Sequence, residues 1–121
     1  MKFTLESPTA VTIRSVSERE IRIGDTRWTD TLALTAEGVL DSWVSTPLDA
    51  LTGEDFALLL ETGPEVVVLG TGGTHVIPPR ELMFAFARQG VGFEVMDTRA
   101  AARTFNVLVG EGRKVAALLY L

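Results

Sequence analysis

Three small groups of residues in this chain have the types and spacing to do chemistry. The first is Gly70-Thr71-Gly72-Gly73, directly after the unbroken apolar run Val66-Val67-Val68-Leu69. A glycine loop at a strand end can bring backbone N–H groups close to a phosphate, the device of dinucleotide sites. The second is His75, the one histidine, with Thr71, Thr74 and Asp97 as the residues it would need for acid–base or nucleophilic work. The third is Asp97-Thr98-Arg99 with Arg103 and Asn106, where two arginines four residues apart share a helical face with an asparagine.

Each group has a plain structural reading beside the functional one. The dinucleotide fingerprint Gly-x-Gly-x-x-Gly, begun at Gly70 and Gly72, needs a third glycine where His75 stands. It also needs a loop that opens directly into a helix, and here Pro78-Pro79 intervenes. Close backbone approach at a sheet end explains these glycines better, and no Gly-Lys-Ser/Thr phosphate loop occurs. No nucleophile elbow surrounds any serine or threonine, so His75 reads as a surface histidine. Arg99 and Arg103 repel each other by a few tenths of a kcal/mol, and Asn106 is a poor helix former. Such a breach of local rules points to function or to an acidic neighbour such as Glu94 or Glu111 tying helix to sheet.

The elements that must position these groups are legible in the hydropathy pattern. Val66–Leu69 does not alternate, which suits a strand buried on both faces. Gly92–Met96 and Lys114–Tyr120 are two further strands, each preceded by a helical pattern. The second half reads β-α-β-α-β. Thr52 and Asp55 form a capping box before a helix carrying Phe56, Leu59 and Leu60, which Gly63-Pro64 stops. A second helix starts near Pro79, with Leu82, Met83 and Phe86 inward and Gly90 at its end. Asp97 or Thr98 caps a third, running to about Val109 and closed by Gly110, with Ala101, Phe105 and Leu108 on its apolar face. In the first third, Val11, Ile13, Val16, Ile21 and Ile23 alternate with charged residues, and Gly24-Asp25 turns the chain toward Trp28. Leu32 and Leu34 continue the pattern; Ala36-Glu37-Gly38 turns it into a returning strand, Val39–Val44. That predicts an antiparallel meander with one wet face.

The fold expected is a single α/β domain over residues 1–121. Antiparallel strands (1–45) join an α-β-α-β-α-β portion (46–121) in a mixed central sheet with helices packed on it. If the second and third helices cover opposite faces, Val66–Leu69 lies between two parallel neighbours and the glycine loop borders a crevice.

Bulk properties narrow the function classes. A net charge of −5 with 11 Lys and Arg against 16 Asp and Glu disfavours nucleic acid as a general partner. With no cysteine and one histidine, disulfides, zinc–thiolate sites and multi-histidine metal sites are excluded. No apolar segment approaches the roughly 20 residues needed to span a bilayer. A cytoplasmic location without membrane insertion is the expectation.

Val68-Leu69-Gly70-Thr71-Gly72, Gly92 to Thr98, Ala101 to Leu108 and Glu111-Gly112-Arg113 together resemble a known family. It is the widespread family of small domains of unassigned activity whose mitochondrial members assist assembly of respiratory complex I (NADH dehydrogenase assembly factor 3). Phe105 stands where many relatives carry tyrosine, which argues against an essential phenol there. The resemblance implies a compact α/β sandwich with a mixed sheet, no cofactor, no established catalytic residues and an assembly role.

The expected function is therefore a non-enzymatic binding or assembly module with a protein partner. Its candidate surface is Gly70, Thr71, Gly72, Gly73, Asp97, Thr98, Arg99, Arg103 and Asn106. Neither catalytic residue nor metal ligand is expected. The competing class is a small-molecule enzyme or metabolite-binding protein using the same crevice, with His75 or Asp97 as acid or base. A third is a homodimer through Trp28 or Trp43.

Overall fold

The computed structural model describes residues 11–43 and 45–121. Along it five strands come first, and then three helices alternate with three further strands. Strands β1 (Ile13–Val16), β2 (Ile21–Ile23) and β3 (Thr26–Trp28) form a small antiparallel sheet in the order β1-β2-β3. Strands β4 (Leu32–Thr35), β5 (Gly38–Val39), β6 (Val66–Thr71), β7 (Gly92–Met96) and β8 (Val115–Tyr120) form the main sheet in the order β5-β4-β8-β6-β7. Helices α1 (Ala57–Glu61), α2 (Arg80–Gln89) and α3 (Thr98–Gly110) complete the chain.

β6 and β8 are the centre of the molecule. Val67, Val68 and Leu69 have no exposed surface, and neither do Ala116, Ala117, Leu118 and Leu119. Burying each larger side chain is worth about 1.5–3 kcal/mol before entropy is counted. β6 runs parallel to both neighbours, pairing Val68 with Glu94 on one side and with Ala117 on the other.

Period-two alternation sends alternate residues of these strands into two cores. Val66 and Val68, with Val115, Ala117 and Leu119, face α3 and the small sheet, meeting Ala101, Phe105, Ile13 and Ile21. Val67 and Leu69, with Ala116 and Leu118, face α1 and α2, meeting Phe56, Leu59, Leu82 and Phe86. α2 and α3 thus cover opposite faces, and β6 lies between two parallel strands, the topology that opens a crevice at its C-terminal end.

Several expectations need correction. Leu32–Thr35 leaves the meander: β4 pairs antiparallel with β8, matching Leu32 to Leu119 and Thr35 to Ala116, and all four residues are buried. Ala33 goes into the second core, so no wet face remains. The returning strand is only Gly38–Val39, and Val44 lies outside the described residues. The segment opened by Thr52 begins as a 3-10 turn, Gly53–Phe56, before a single α-turn. Its Asp55 carboxylate does accept the Thr52 N–H at 2.8 Å. Met83 is 44% exposed; it lies roughly 100° round the helix from Leu82, beyond the stripe that Leu82 and Phe86 direct at the sheet. Helix α3 runs through Gly110, and the reversal after it belongs to Gly112, at φ +76°.

Candidate functional site

At the C-terminal end of β6 the chain must pass beneath the start of α3. Gly70 makes this passage: a Cβ there would sit 2.8 Å from Thr98 Oγ1 and 3.0 Å from Thr98 Cα. Only a residue without a side chain lets the helix come so near. Thr98, 2% exposed, fastens the junction. Its N–H donates to the Gly72 carbonyl at 2.9 Å, and its hydroxyl accepts the Gly72 N–H at 2.8 Å while donating to the Tyr120 carbonyl. Ends of β6, β8 and α3 are thereby joined through one hydroxyl, which has the one donor and two acceptor sites this needs.

Thr71 turns the loop back on itself. Its hydroxyl donates to the Thr74 carbonyl at 2.6 Å and accepts the Val76 N–H at 3.1 Å. Gly72 takes φ +94°, which favours glycine, and Gly73 is exposed with open space where a Cβ would point. Asp97 caps α3, its Oδ1 accepting the Ala100 N–H at 2.9 Å. That bond satisfies a helix donor and places the carboxylate at the positive end of the dipole.

Beside this junction lies a crevice of ≈ 350 Å³, bordered by Gly72, Gly73, Asp97 and Arg99 on one side and by Ser17 and Glu18 on the other. A second groove, ≈ 320 Å³, runs between β1 and α3 and is lined by Arg14, Ser15, Arg99, Ala102, Arg103 and Asn106, among others. Arg99 borders both. The nine residues expected at the site therefore divide. Gly70, Thr71, Gly72 and Thr98 are buried and build the junction, whereas Gly73, Arg99 and Arg103 are exposed at its surface. Asp97 and Asn106 are half-buried.

Asn106 has a specific structural duty. Its Oδ1 accepts the Ile13 N–H and its amide donates to the Ile13 carbonyl, each at 2.8 Å. The side chain thus acts as a strand partner for β1 and explains an asparagine inside a helix. No such duty holds the arginines. Three ion pairs occur among the described residues, Arg14–Asp25, Arg27–Glu20 and Arg113–Glu65, and neither Arg99 nor Arg103 is in one. Glu94 and Glu111 are not their partners.

His75 lies in the exposed loop after the glycines, which also carries Val76 and Ile77, the latter 83% exposed. The tryptophans are engaged within the chain. Trp28 packs half-buried on the α3-side core, and Trp43 donates from Nε1 to the Asp55 carbonyl and meets Tyr120 edge-on at 6.5 Å. Among the described residues no cluster of three metal-ligating side chains occurs, and no helix is long and apolar enough to cross a membrane. Arg14, Ser17 and Glu18 went unrecognised because they come from the other sheet. Their sequence signal is weak: Arg14 is a polar position of a short alternating strand, and Ser17 and Glu18 begin the charged turn after it.

Comparison with known proteins settles the kinship. The family described as "Protein of unknown function (DUF498/DUF598)" matches residues 13–120, which take in both sheets and every helix. The chain belongs to the DUF498/DUF598 family. Among its relatives, the NADH dehydrogenase (ubiquinone) 1 alpha subcomplex assembly factor 3 of Bos taurus is 38% identical over 94% of this chain and 62% of its own length. The "13 kDa major membrane protein" of Francisella tularensis is 36% identical over 51% of this chain and 50% of its own. The chain thus spans half to about three-fifths of these DUF498/DUF598 relatives. A crystal structure of a Bordetella parapertussis protein superimposes with a TM-score of 0.84 at 31% identity, covering 95% of this chain and 98% of that one. The mixed α/β fold is therefore the DUF498/DUF598 fold, and the assembly-factor resemblance read from the motifs of β6, β7 and α3 holds across nearly the whole chain.

Proposed function

We propose that this chain is a non-enzymatic binding module in assembly, holding a protein partner on the surface formed by Gly73, Asp97, Arg99 and Arg103. One observation carries the reading: the bovine relative that aligns over 94% of the chain, and so through this surface, is named as an assembly factor. By that kinship the client is a respiratory complex. The chemistry of the surface agrees with protein binding. Asp97 is committed to capping α3, Thr71 and Thr98 to internal bonds, and His75 stands in an exposed loop. What is left free is the arginine face of α3, with Ile77 of the loop after the glycines 83% exposed, and both suit partner proteins. Such a module works from the cytoplasm and meets its client from the aqueous side.

The experiment is affinity capture from an extract of the native host, with parent, Gly73→Trp and Arg103→Ala chains as bait. Gly73→Trp places a ring at the crevice mouth where a Cβ meets nothing. The expected result is one partner retained by the parent and lost from both variants, with unchanged melting. Capture of no partner by the parent would overturn the reading.

The second reading, a small-molecule protein, rests on the ≈ 350 Å³ crevice at the end of parallel strands, a usual place for ligands. Saturable one-to-one binding of NAD(H), NADP(H) or ATP in the micromolar range, measured by calorimetry, would establish it in place of the first. The expected result is none.

A further inference from the structure

The groove between β1 and α3 has an unusual charge for this molecule. The chain carries a net charge of −5, yet among the described residues the ionisable ones lining the groove are three arginines: Arg14 on the strand wall, Arg99 and Arg103 on the helix wall. All three are exposed. Arg14 lies 3.9 Å from Asp25, a fully exposed carboxylate that is readily exchanged for another. Arg99 and Arg103 are in no ion pair among the described residues. Between the walls, Ala102 is 5% exposed, and Asn106 ties the helix to the backbone of Ile13.

The spacing says what fits. Arginines four residues apart on a helix are offset by about 6 Å along its axis. Carboxylates two residues apart on an extended chain are offset by about 7 Å and point the same way. An extended segment with acidic residues at alternate positions would therefore present successive carboxylates to Arg99 and Arg103, each able to form a bidentate pair. Its intervening side chains would turn toward solvent, and Arg14 would close over it from the strand wall. A polynucleotide suits the groove less well, since three arginines in an otherwise acidic molecule cannot offset the charge of a long phosphate chain.

Resting on the binding-module reading, we propose that the β1–α3 groove receives an extended acidic segment of the partner protein, with Asp or Glu at alternate positions. The test uses a capped octapeptide of alternating glutamate and threonine, its glutamine counterpart, oligothymidylate and tripolyphosphate, titrated calorimetrically at low salt. The glutamate peptide should bind saturably to the parent, and the glutamine peptide should not. Arg99→Gln with Arg103→Gln should weaken binding by about tenfold or more, as expected for arginine hot spots, and leave the melting midpoint in place. Absence of saturable peptide binding at millimolar concentration, equal binding by the double variant, or tighter binding of oligothymidylate or tripolyphosphate would each overturn the proposal. The two readings fail separately. Partner capture that is lost in Gly73→Trp but survives the arginine changes would overturn the groove and keep the module, with its surface reduced to the glycine loop. A parent that binds the peptide but captures no partner would keep the groove and overturn the module.

Discussion

Gly70 and Thr98 are in contact so close that the space for a single methyl group is missing: a Cβ on Gly70 would lie 2.8 Å from Thr98 Oγ1. The hydroxyl cannot swing away without breaking its bonds to Gly72 and Tyr120. Leu119 Cδ2 and Thr98 Cα, each 3.0 Å from the same point, close the other directions. Gly70→Ala should therefore destabilise the chain by about 1–3 kcal/mol, the usual cost of overpacking. Gly73→Ala, with nothing within 4 Å, should stay within about 0.5 kcal/mol of the parent. Urea denaturation of the two variants makes the comparison. Equal midpoints would show that the junction is not tight.

Val67 tests the centre of the main sheet. It is fully buried between β7 and β8, against the core that α1 and α2 cover. Val67→Asp places a carboxylate there with no partner, at a cost of several kcal/mol against a total stability of about 5–15. The variant should be insoluble or lack a cooperative melt; a soluble one with a near-parental midpoint would contradict the placement of β6.

Asn106 and Arg103 lie on the same helix and should respond in opposite ways. Asn106→Leu strands the N–H and carbonyl of Ile13, and each buried unpaired group costs about 1–3 kcal/mol. Amide exchange should quicken in β1 before it does in β6. Arg103→Ala should alter stability by less than about 0.5 kcal/mol, because the side chain is exposed and braces nothing among the described residues. A large loss of stability in Arg103→Ala would make this face structural.

Tyr120 gives the molecule an alkaline limit. Its hydroxyl donates to the Thr46 carbonyl at 2.6 Å. Burial, helped by the charge of Asp55, pushes the phenol well above its ordinary value of 10.0. The folded state thus keeps the proton that the unfolded chain releases near pH 10. The contribution of Tyr120 is complete below that pH and declines as pH rises from there toward the folded value. Urea melts between neutral pH and the alkaline limit should show parental stability falling above pH 10. Tyr120→Phe should be less stable by about 1 kcal/mol near neutrality, through the lost hydrogen bond, and should lose less on the alkaline side. Parallel slopes for the two proteins would exclude this role.

Much of the fold was legible because it rests on short-range patterns. The apolar run of β6, the Gly63-Pro64 stop and the Asp97 cap each report their own neighbourhood. The place of β4 is not legible, for the opposite reason. Leu32-Ala33-Leu34-Thr35 has the same pattern whether it pairs with β3 or with β8, and only the distant partner decides that Ala33 is buried. Met83 was misplaced because an apolar residue beside a helical stripe is not marked by type as in or out.

The candidate site divides in the same way. Its junction joins short stretches that each carry a local mark, the glycines of Gly70 to Gly73 and the helix cap at Asp97-Thr98. Its far wall, Ser17 and Glu18 with Arg14, comes from the small sheet, and no local pattern links those residues to Arg99. Asn106 stands out in the sequence as a helix residue out of place, and its reason, the backbone of Ile13, lies at the other end of the described chain.

β8 stands in the middle of the main sheet although it follows every other described strand in the chain. β4 and β6 each have one edge that only β8 can fill. A nascent chain emerging from the ribosome therefore holds two apolar strands, each with one open edge, until Val115–Tyr120 clears the exit tunnel. Long-range pairings of this kind slow folding and expose sticky edges in the interval. A premature stop anywhere before Val115 should yield aggregate rather than a smaller folded protein.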